Sequence, residues 1–380
     1  MLYTLPYLAL ITFLGIIGFL FDNTEDDALK RKFSIIAVSV FFIFFGFRGF
    51  ILSDWIVYYP FFYSCSFDDL TEYTIGSMST FEPGFTLLTL ICKSIFKDFH
   101  FYVFVCTLID TVLLLNFFRK RVDNIPMALM IYIVFEGLVL STNLMRNSIA
   151  ILIFLNALDY IEKRQPLQYF TLCTVAVMFH MSAFIFFPLY FFFHKTYSKW
   201  IYLAIFIACN VIYLGHISIV LSLASLLGLD EQFSAKIRAY TEYYDQGTGL
   251  SIGYLERLFT GLLIFLYYDK LQEVRKNNGV YINGILAYFI MFFFFSEFQV
   301  LSKRFAILFA FGYWIIWMDL IKCFYFDNNR RLFKAFIFAY CLMRTAGSTY
   351  LPDFDYDNIL FGSKSYQERL YIHNRTFEEQ

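Results

Sequence analysis

A succession of apolar runs, most of them near the length that crosses a lipid bilayer, constrains the fold of this chain more than any other sequence feature. The runs lie at about residues 3–21, 33–52, 99–118, 126–142, 144–160, 200–222, 252–268, 281–299, 304–323 and 334–350. Backbone groups find no water in a bilayer, so spanning runs of this length are expected to be helices. With two further segments, 82–97 and 167–193, they predict an all-α polytopic integral membrane protein of about 10–12 transmembrane or re-entrant helices.

The composition agrees with a membrane protein. Hydrophobic residues make up 59% of the chain and charged residues 16%, against about 45–50% and about 25% in soluble domains. These proportions exclude a soluble enzyme and a disordered scaffold. The formal net charge is −1, so the chain has no basic surface for a nucleic-acid backbone.

The loops between the runs differ in charge, and this difference predicts which side of the membrane each loop faces. Loops 22–32 and 119–125 contain clusters of Lys and Arg and are predicted to be cytoplasmic. Loop 53–81 has no Lys or Arg and is predicted to face outside. Loop 53–81 and loop 119–125 would lie on the same side if both 82–97 and 99–118 crossed the membrane. The two assignments are compatible if segment 82–97 enters the membrane from outside and returns to the same side. The same argument makes 167–193 a re-entrant hairpin, because basic residues flank both of its ends.

Re-entrant backbone at membrane depth is tolerated only where protein or a water-filled cavity covers it. The two re-entrant segments therefore predict a cavity at the outer face.

The predicted organisation is a single transmembrane domain over residues 1–350, with outer loops 53–81 and 223–251. A C-terminal tail, 351–380, is predicted to lie outside the cytoplasm.

The sequence lacks motifs for metals and nucleotides. The seven cysteines are scattered, without the paired spacing that is typical of a zinc site. Neither a glycine-rich phosphate loop nor an HExxH motif occurs. The sequence thus predicts no metal, no cofactor and no cytoplasmic nucleotide-sugar donor.

Charged and polar side chains interrupt the apolar runs near their predicted outer ends. A charge inside a bilayer costs about 2.5–3.5 kcal/mol, so such residues usually face a cavity or a partner and indicate function. The candidates are Arg48, Asp54, Tyr58, Glu82, Arg146, Asn147, Arg257 and Arg304, and His180 joins them if its segment is re-entrant.

These candidates also have structural interpretations. Basic residues at helix ends can simply extend to the membrane interface, and this alternative applies to Arg48, Arg257 and Arg304. Carboxylates can cap a helix or a loop, and this alternative applies to Asp54 and Glu82.

Arginines at the outer leaflet favour binding of a lipid-linked diphosphate, because the planar guanidinium matches phosphate oxygens. Cations also stabilise the negative charge that grows on a leaving diphosphate. We therefore predict a diphosphate clamp; its members are Arg48, Arg146 and Arg304, with Arg257 as a weaker one.

A carboxylate or imidazole beside this clamp can take the proton of an attacking hydroxyl. Glu82, Asp54 and His180 are the candidates for this catalytic base or for hydrogen bonds to sugar hydroxyls. His180 has an alternative role as a partner of a backbone carbonyl. A clamp and a base together are what glycosyl transfer from a lipid diphosphate requires.

Aromatic residues are concentrated in the predicted outer loop 53–81. They are Trp55, Tyr58, Tyr59, Tyr63 and Tyr73. Aromatic faces can cover the apolar surfaces of sugar rings, and the carboxylates of the same loop accept bonds from hydroxyls. An interfacial aromatic belt is the alternative interpretation.

Several short strings follow one another along the chain. They are Arg48-Gly49 followed by Asp54 and Tyr58, then Glu82-Pro83-Gly84-Phe85, Arg146-Asn147, Phe179-His180-Met181-Ser182 and Lys303-Arg304-Phe305. In this order and spacing, over about residues 1–350, the chain resembles the EpsG/Wzy-like family of bacterial membrane polysaccharide polymerases. It departs from the family pattern in one extra residue between Arg48 and Asp54, and in Asn147 where a Gln is usual.

The resemblance implies polymerisation of undecaprenyl-diphosphate-linked oligosaccharide repeat units at the outer face of the bacterial inner membrane, for capsule, exopolysaccharide or O-antigen. A hydroxyl of one lipid-linked unit would attack the anomeric carbon of another. The implied partners are this glycan donor and acceptor, membrane lipid, a chain-length regulator and other polysaccharide-export proteins.

Two other classes remain as alternatives. A lipid-linked-glycan flippase or transporter would show paired halves and helices broken at the midplane. A membrane acyltransferase can also use a histidine in a membrane segment, although its acyl-donor site would face the cytoplasm.

Overall fold

The structure, a computed structural model, describes residues 2–73, 81–219, 222 and 251–378. Among these residues the regular elements are helices, and β pairing is limited to isolated bridges of Asn358 with Arg48 and Gly362. The predicted class, an all-α polytopic membrane protein, is confirmed. Residues 74–80 of the predicted loop 53–81, and nearly all of loop 223–251, lie outside the described residues.

The α-helices of the described ranges follow one another in this order: α1 (Leu5–Asn23), α2 (Asp27–Gly46), α3 (Trp55–Ser64), α4 (Asp68–Thr71), α5 (Pro83–Ile95), α6 (Phe99–Arg119), α7 (Ile125–Tyr132), α8 (Leu138–Thr142), α9 (Met145–Glu162), α10 (Pro166–Phe179), α11 (Leu189–Phe192), α12 (Lys199–Leu214), α13 (Ile252–Leu266), α14 (Tyr268–Val274), α15 (Gly279–Phe294), α16 (Gln299–Ala306), α17 (Phe311–Cys323), α18 (Asp327–Ser348) and α19 (Tyr366–Glu378). Short 3₁₀ helices occur at Leu2–Thr4, Met181–Phe186, Ile307–Phe309 and Pro352–Phe354. Between α7 and α8, the segment Ile133–Gly137 contains a kink, where Phe135 and Glu136 have non-helical backbone angles.

Three helices in the described part of the chain are long and apolar enough to cross a bilayer: Leu2–Asn23, Phe99–Arg119 and Ile125–Thr142. A fourth span results if Leu301–Phe309 and Phe311–Cys323, which meet at a bend of 51°, are taken together. Several other predicted runs form shorter apolar helices, because turns and breaks divide them. The predicted number of about 10–12 transmembrane or re-entrant helices stays a prediction.

The chain forms two compact units. The first comprises Met1–Phe191 and Arg331–Gln380, and the second comprises Phe192–Arg330. Residues 351–380 are thus grouped with the first unit. The predicted organisation, a single transmembrane domain over residues 1–350 and a C-terminal tail, stays a prediction.

Helix α9 is the centre of the first unit. It is apolar nearly all round, and most of its side chains are buried, as expected for a helix enclosed by others. It packs closely against α10 and also against α6. The residues at its first turn are therefore placed among several elements of this unit.

The predicted hairpin at 167–193 folds back on itself. Helix α10 ends at Phe179, His180 is extended, and the 3₁₀ helix Met181–Phe186 follows. The OH of Tyr169 donates to the carbonyl of Phe186 at 2.5 Å, and Arg164 Nη1 donates to the carbonyl of Tyr190 at 2.8 Å. The chain thus returns to the start of α10. That this hairpin enters the membrane and returns to the same side stays a prediction.

Segment 82–97 is also part of a hairpin. Helix α5 has 13 residues and is about 20 Å long, well short of the about 30 Å of a bilayer core. Three residues separate it from α6, and Thr89 on α5 donates to the hydroxyl of Tyr102 on α6 at 3.0 Å. Its short length is compatible with the predicted re-entrant path.

Candidate functional site

An ion pair between Glu82 and Arg146 lies at the centre of the candidate site. Arg146 Nη1 donates to Glu82 Oε2 at 2.5 Å, although 64 positions separate the two residues. Glu82 immediately precedes Pro83, the first residue of α5, and Arg146 lies in the first turn of α9. The side chain of Glu82 is 7% exposed and that of Arg146 is 21% exposed, so the arginine is the more accessible partner.

The guanidinium of Arg146 is arranged to bind an anion. Its Cζ lies 4.3 Å from the centre of the Phe81 ring and 5.9 Å from that of Tyr58, so aromatic rings hold it in place. Its Nε is buried and has no hydrogen-bond partner among the described residues. A buried N–H without a partner is costly. The side chain as a whole is 21% exposed, so a ligand oxygen can approach its accessible part.

The turn of the hairpin at His180 closes over Glu82. The backbone N–H of Met181 donates to Glu82 Oε1 at 3.0 Å. Gly84 permits this approach, because a Cβ at this position would lie 2.7 Å from the carbonyl oxygen of Met178. The Glu-Pro-Gly and Phe-His-Met-Ser strings thus meet directly, although nearly a hundred residues separate them.

His180 accepts a hydrogen bond from its own turn. Its Nδ1 accepts from the backbone N–H of Ser182 at 3.1 Å. In a neutral imidazole the proton is then on Nε2, an assignment inferred from this bond. With this tautomer the ring presents a donor rather than a base at Nε2.

Asn147 joins the hairpin to α9. Its Oδ1 accepts from the hydroxyl of Ser182 at 3.1 Å, and the side chain is buried. The predicted residues Glu82, Arg146, Asn147 and His180 are therefore brought together in one region of the first unit.

Asp54 and Tyr58 approach this region from α3. Tyr58 is buried, and its ring contacts Phe85 as well as the guanidinium of Arg146. Asp54 lies four positions before Tyr58, so both side chains occupy one face of this turn. Asn143 holds the segment, because its Oδ1 accepts from the backbone N–H groups of Ser53 at 3.1 Å and Asp54 at 2.8 Å. Asn143 was not predicted from the sequence, where its only signal was its position shortly before Arg146.

Arg48 is directed into the protein. Its side chain is buried, and Nη1 donates to the carbonyl of Phe45 at 2.7 Å and to Thr107 Oγ1 at 3.3 Å. Nη2 donates to the carbonyl of Thr142 at 3.3 Å. These bonds tie α2 to α6 and to the end of α8, and the predicted contact of Arg48 with a diphosphate stays a prediction.

A second buried carboxylate lies close to the site and was not predicted from the sequence. Asp110, on α6, accepts from the hydroxyl of Ser148 at 2.8 Å, and its Oδ1 has no partner among the described residues. Ser148 lies two positions after Arg146 on α9. Asp110 could have been found from the sequence, because it is a carboxylate within a long apolar run.

The remaining predicted arginines belong to the second unit. Arg257 is buried, and it donates to the carbonyl of Gly253 at 2.6 Å and to the hydroxyl of Tyr288 at 3.0 Å. Its Cζ also lies 3.7 Å from the centre of the Phe292 ring. Arg304 is exposed on α16. Their predicted part in the clamp stays a prediction.

The comparisons identify a family. The model of the EpsG family matches residues 31–359 of this chain. No curated protein and no solved structure matches it. The matched range includes every residue that we predicted for the site.

Within the described residues, no three His, Cys, Asp or Glu side chains are grouped as a metal site.

Proposed function

We propose, from the premise that this chain belongs to the EpsG family, that it is a membrane glycosyltransferase that polymerises lipid-linked oligosaccharide repeat units. Membership of the family supports a polysaccharide polymerase-like role. The proposal adds the carrier, an undecaprenyl diphosphate, and the place, the outer face of the bacterial inner membrane. Capsule, exopolysaccharide or O-antigen would be the product.

The observation that carries the proposal is the arrangement around Arg146. A cation that is held by an aromatic ring and has a side chain 21% exposed can donate to diphosphate oxygens. Glu82 binds Nη1 and fixes the orientation of the guanidinium, so the remaining donors point in defined directions. Because the side chain of Arg146 is partly exposed, a ligand can reach it.

The reaction that we propose is a displacement at the anomeric carbon of the donor. The acceptor hydroxyl forms the new C–O bond while the bond to the diphosphate oxygen breaks. The electron pair of that bond leaves with the diphosphate, and Arg146 stabilises the charge that develops there. The hydroxyl proton passes to a base of the protein.

We propose Asp54 as the base, because of its position close to Tyr58 in the chain. Asp54 lies on the same face of α3 as Tyr58, which contacts Arg146. His180 Nε2 would then donate to a sugar hydroxyl or to the diphosphate.

Arg48, Arg257 and Arg304 are proposed as further positive charges that attract the substrate. Tyr58 and Asn147 are proposed to shape the site around the sugar. The proposed partners are the glycan donor and acceptor on their carrier lipids, with a chain-length regulator and other export proteins in the cell.

Purified protein supplied with lipid-diphosphate repeat units tests the proposal. We expect chain growth in detergent, without a gradient or a second compartment. Asp54→Asn should abolish growth, and Asp68→Asn, at an exposed carboxylate of the same predicted loop, should leave it unchanged. Transfer of the repeat unit across a vesicle membrane without bond formation would instead support a flippase and overturn the proposal.

A further inference from the structure

A pocket of about 560 Å³ lies between α3 and the C-terminal helix α19, both in the first unit. Its lining consists of three tyrosines, a proline, a serine and a glutamine: Tyr59, Tyr63, Tyr366, Pro60, Ser365 and Gln367. The lining contains no charged side chain. The pocket therefore differs in chemistry from the site at Arg146.

The tyrosine rings form a continuous aromatic surface. Tyr59 stacks on Tyr366 with 4.2 Å between ring centres and 12° between planes. Tyr63, one helical turn after Tyr59, lies 4.9 Å from it and is 44% exposed. Part of this aromatic surface is thus available to a ligand, next to the Ser365 and Gln367 side chains.

The wall that α19 contributes is firmly held. Arg369 is only 2% exposed, and it donates to Asp355 Oδ2 at 3.1 Å and to the carbonyl of Asp353 at 2.9 Å. The same carbonyl accepts from the backbone N–H of Leu52 at 2.9 Å. These bonds fix α19 against the segment that leads into α3, so the pocket exists before any ligand binds.

The pocket and the site at Arg146 share helix α3. Tyr58 contacts the guanidinium of Arg146, and Tyr59, the next residue, lines the pocket. Successive residues of a helix differ by about 100° in direction, so the two side chains point to different sides of α3. The pocket thus lies on another side of the helix that contributes Tyr58 to the site.

Uncharged tyrosine rings beside an amide side chain are suited to a neutral carbohydrate. The Ser365 hydroxyl is already used, because it donates to Glu368 Oε2 at 2.8 Å and accepts from the N–H of Glu368. Rings cover the apolar faces of sugars, and the amide satisfies sugar hydroxyls in both donor and acceptor directions. A phosphate would need a cation, and an acyl chain would leave the amide unused.

We propose that this pocket is an oligosaccharide-binding site that holds the acceptor glycan of the polymerisation reaction. The assignment to the acceptor rests on the proposed function, whereas binding of the oligosaccharide does not. Tyr63 is the principal contact, and Gln367 supplies hydrogen bonds.

The experiment uses the oligosaccharide released by mild acid from the lipid-linked repeat unit. The full chain is placed in lipid nanodiscs, because sugar-based detergents would compete for the pocket. Calorimetry and saturation-transfer NMR measure the binding of the oligosaccharide to the wild type and to the variants Tyr63→Ala, Gln367→Ala and Tyr371→Ala. Tyr371 is a matched control, a 68% exposed tyrosine on α19 that is not among the lining residues.

We expect Tyr63→Ala to weaken binding about five- to tenfold, and Tyr371→Ala to leave it unchanged. The acceptor KM should rise by a similar factor, with kcat unaltered, because the pocket does not touch the reacting atoms. Equal affinity of Tyr63→Ala and wild type would overturn the inference, as would failure of wild type to bind. Polymerisation by a wild type that does not bind would leave the proposed function standing, and binding without polymerisation would refute that function alone.

Discussion

Glu82 and Arg146 form a partly buried ion pair that joins the start of α5 to the start of α9. Each partner begins a helix, so neither interrupts the apolar interior of its own helix. The carboxylate also binds the hairpin turn through Met181. One side chain thus connects three segments that carry the family strings, and its removal should affect the position of all of them.

Arg146→Lys tests the role of the guanidinium. Lysine retains the positive charge but loses the planar donors, so we expect polymer formation to fall about 100-fold with normal membrane insertion. The matched control is Arg121→Lys. Arg121 pairs with Asp159 and lies 4.4 Å from the Phe117 ring, an arrangement like that of Arg146, on a loop that is predicted to be cytoplasmic. Wild-type product from Arg146→Lys would remove this residue from the mechanism.

Glu82→Gln leaves the guanidinium of Arg146 without its counter-charge. We expect a double-mutant cycle with Arg146→Gln to show a coupling energy of about 0.5–3 kcal/mol in the free energy of unfolding. The double variant should lose less stability than the sum of the two single variants. Thermal unfolding in detergent, followed by circular dichroism, measures the four proteins. Additive losses would show that the two side chains do not stabilise each other.

Gly49→Ala tests the contact between the tail and the segment after α2. A Cβ at Gly49 would lie 1.7 Å from Asp357 Oδ1, so this carboxylate must move away from its bond with the N–H of Lys364. We expect a loss of about 1–3 kcal/mol in the free energy of unfolding. Adding Asp357→Gly should restore part of this loss. Gly347→Ala serves as the control, because no atom lies within 4 Å of the added Cβ. A melting temperature of Gly49→Ala equal to that of wild type would contradict this packing.

His180→Asn separates the structural role of the ring from its chemical role. An asparagine Oδ1 can accept from the N–H of Ser182 as Nδ1 does, so the turn and the melting temperature should be retained. The donor at Nε2 is lost, and we expect at least about a tenfold fall in activity. Activity equal to wild type in a stable His180→Asn variant would limit His180 to the turn.

Cysteine labelling tests the predicted orientation. All seven native cysteines are buried, so an introduced cysteine gives a clear signal. We expect a membrane-impermeant maleimide, added to intact cells, to label Ser363→Cys in the tail. Lys163→Cys, after α9, should be labelled only after the cells are opened. Both positions are exposed in the structure, so the reverse pattern would invert the topology.

The sequence alone determined the helical membrane class, the family and most of the residues around Arg146. Apolar runs of bilayer length allow few structures, because backbone groups need partners inside lipid. The break at His180 was also predictable, since segment 167–193 is too long for one upright span and basic residues flank it.

Only the tertiary structure decided which partners these side chains have. Arg48 and Arg146 are equivalent on a hydropathy plot, yet one donates to internal carbonyls and the other to Glu82 across 64 positions. The sequence suggested Tyr59 and Tyr63 as sugar contacts, but not the stacking of Tyr59 on Tyr366 of the tail, nor the contact of the tail with Gly49. Local sequence sets the periodicity and ends of each helix, whereas contacts between distant segments depend on how the helices pack, which no single segment encodes.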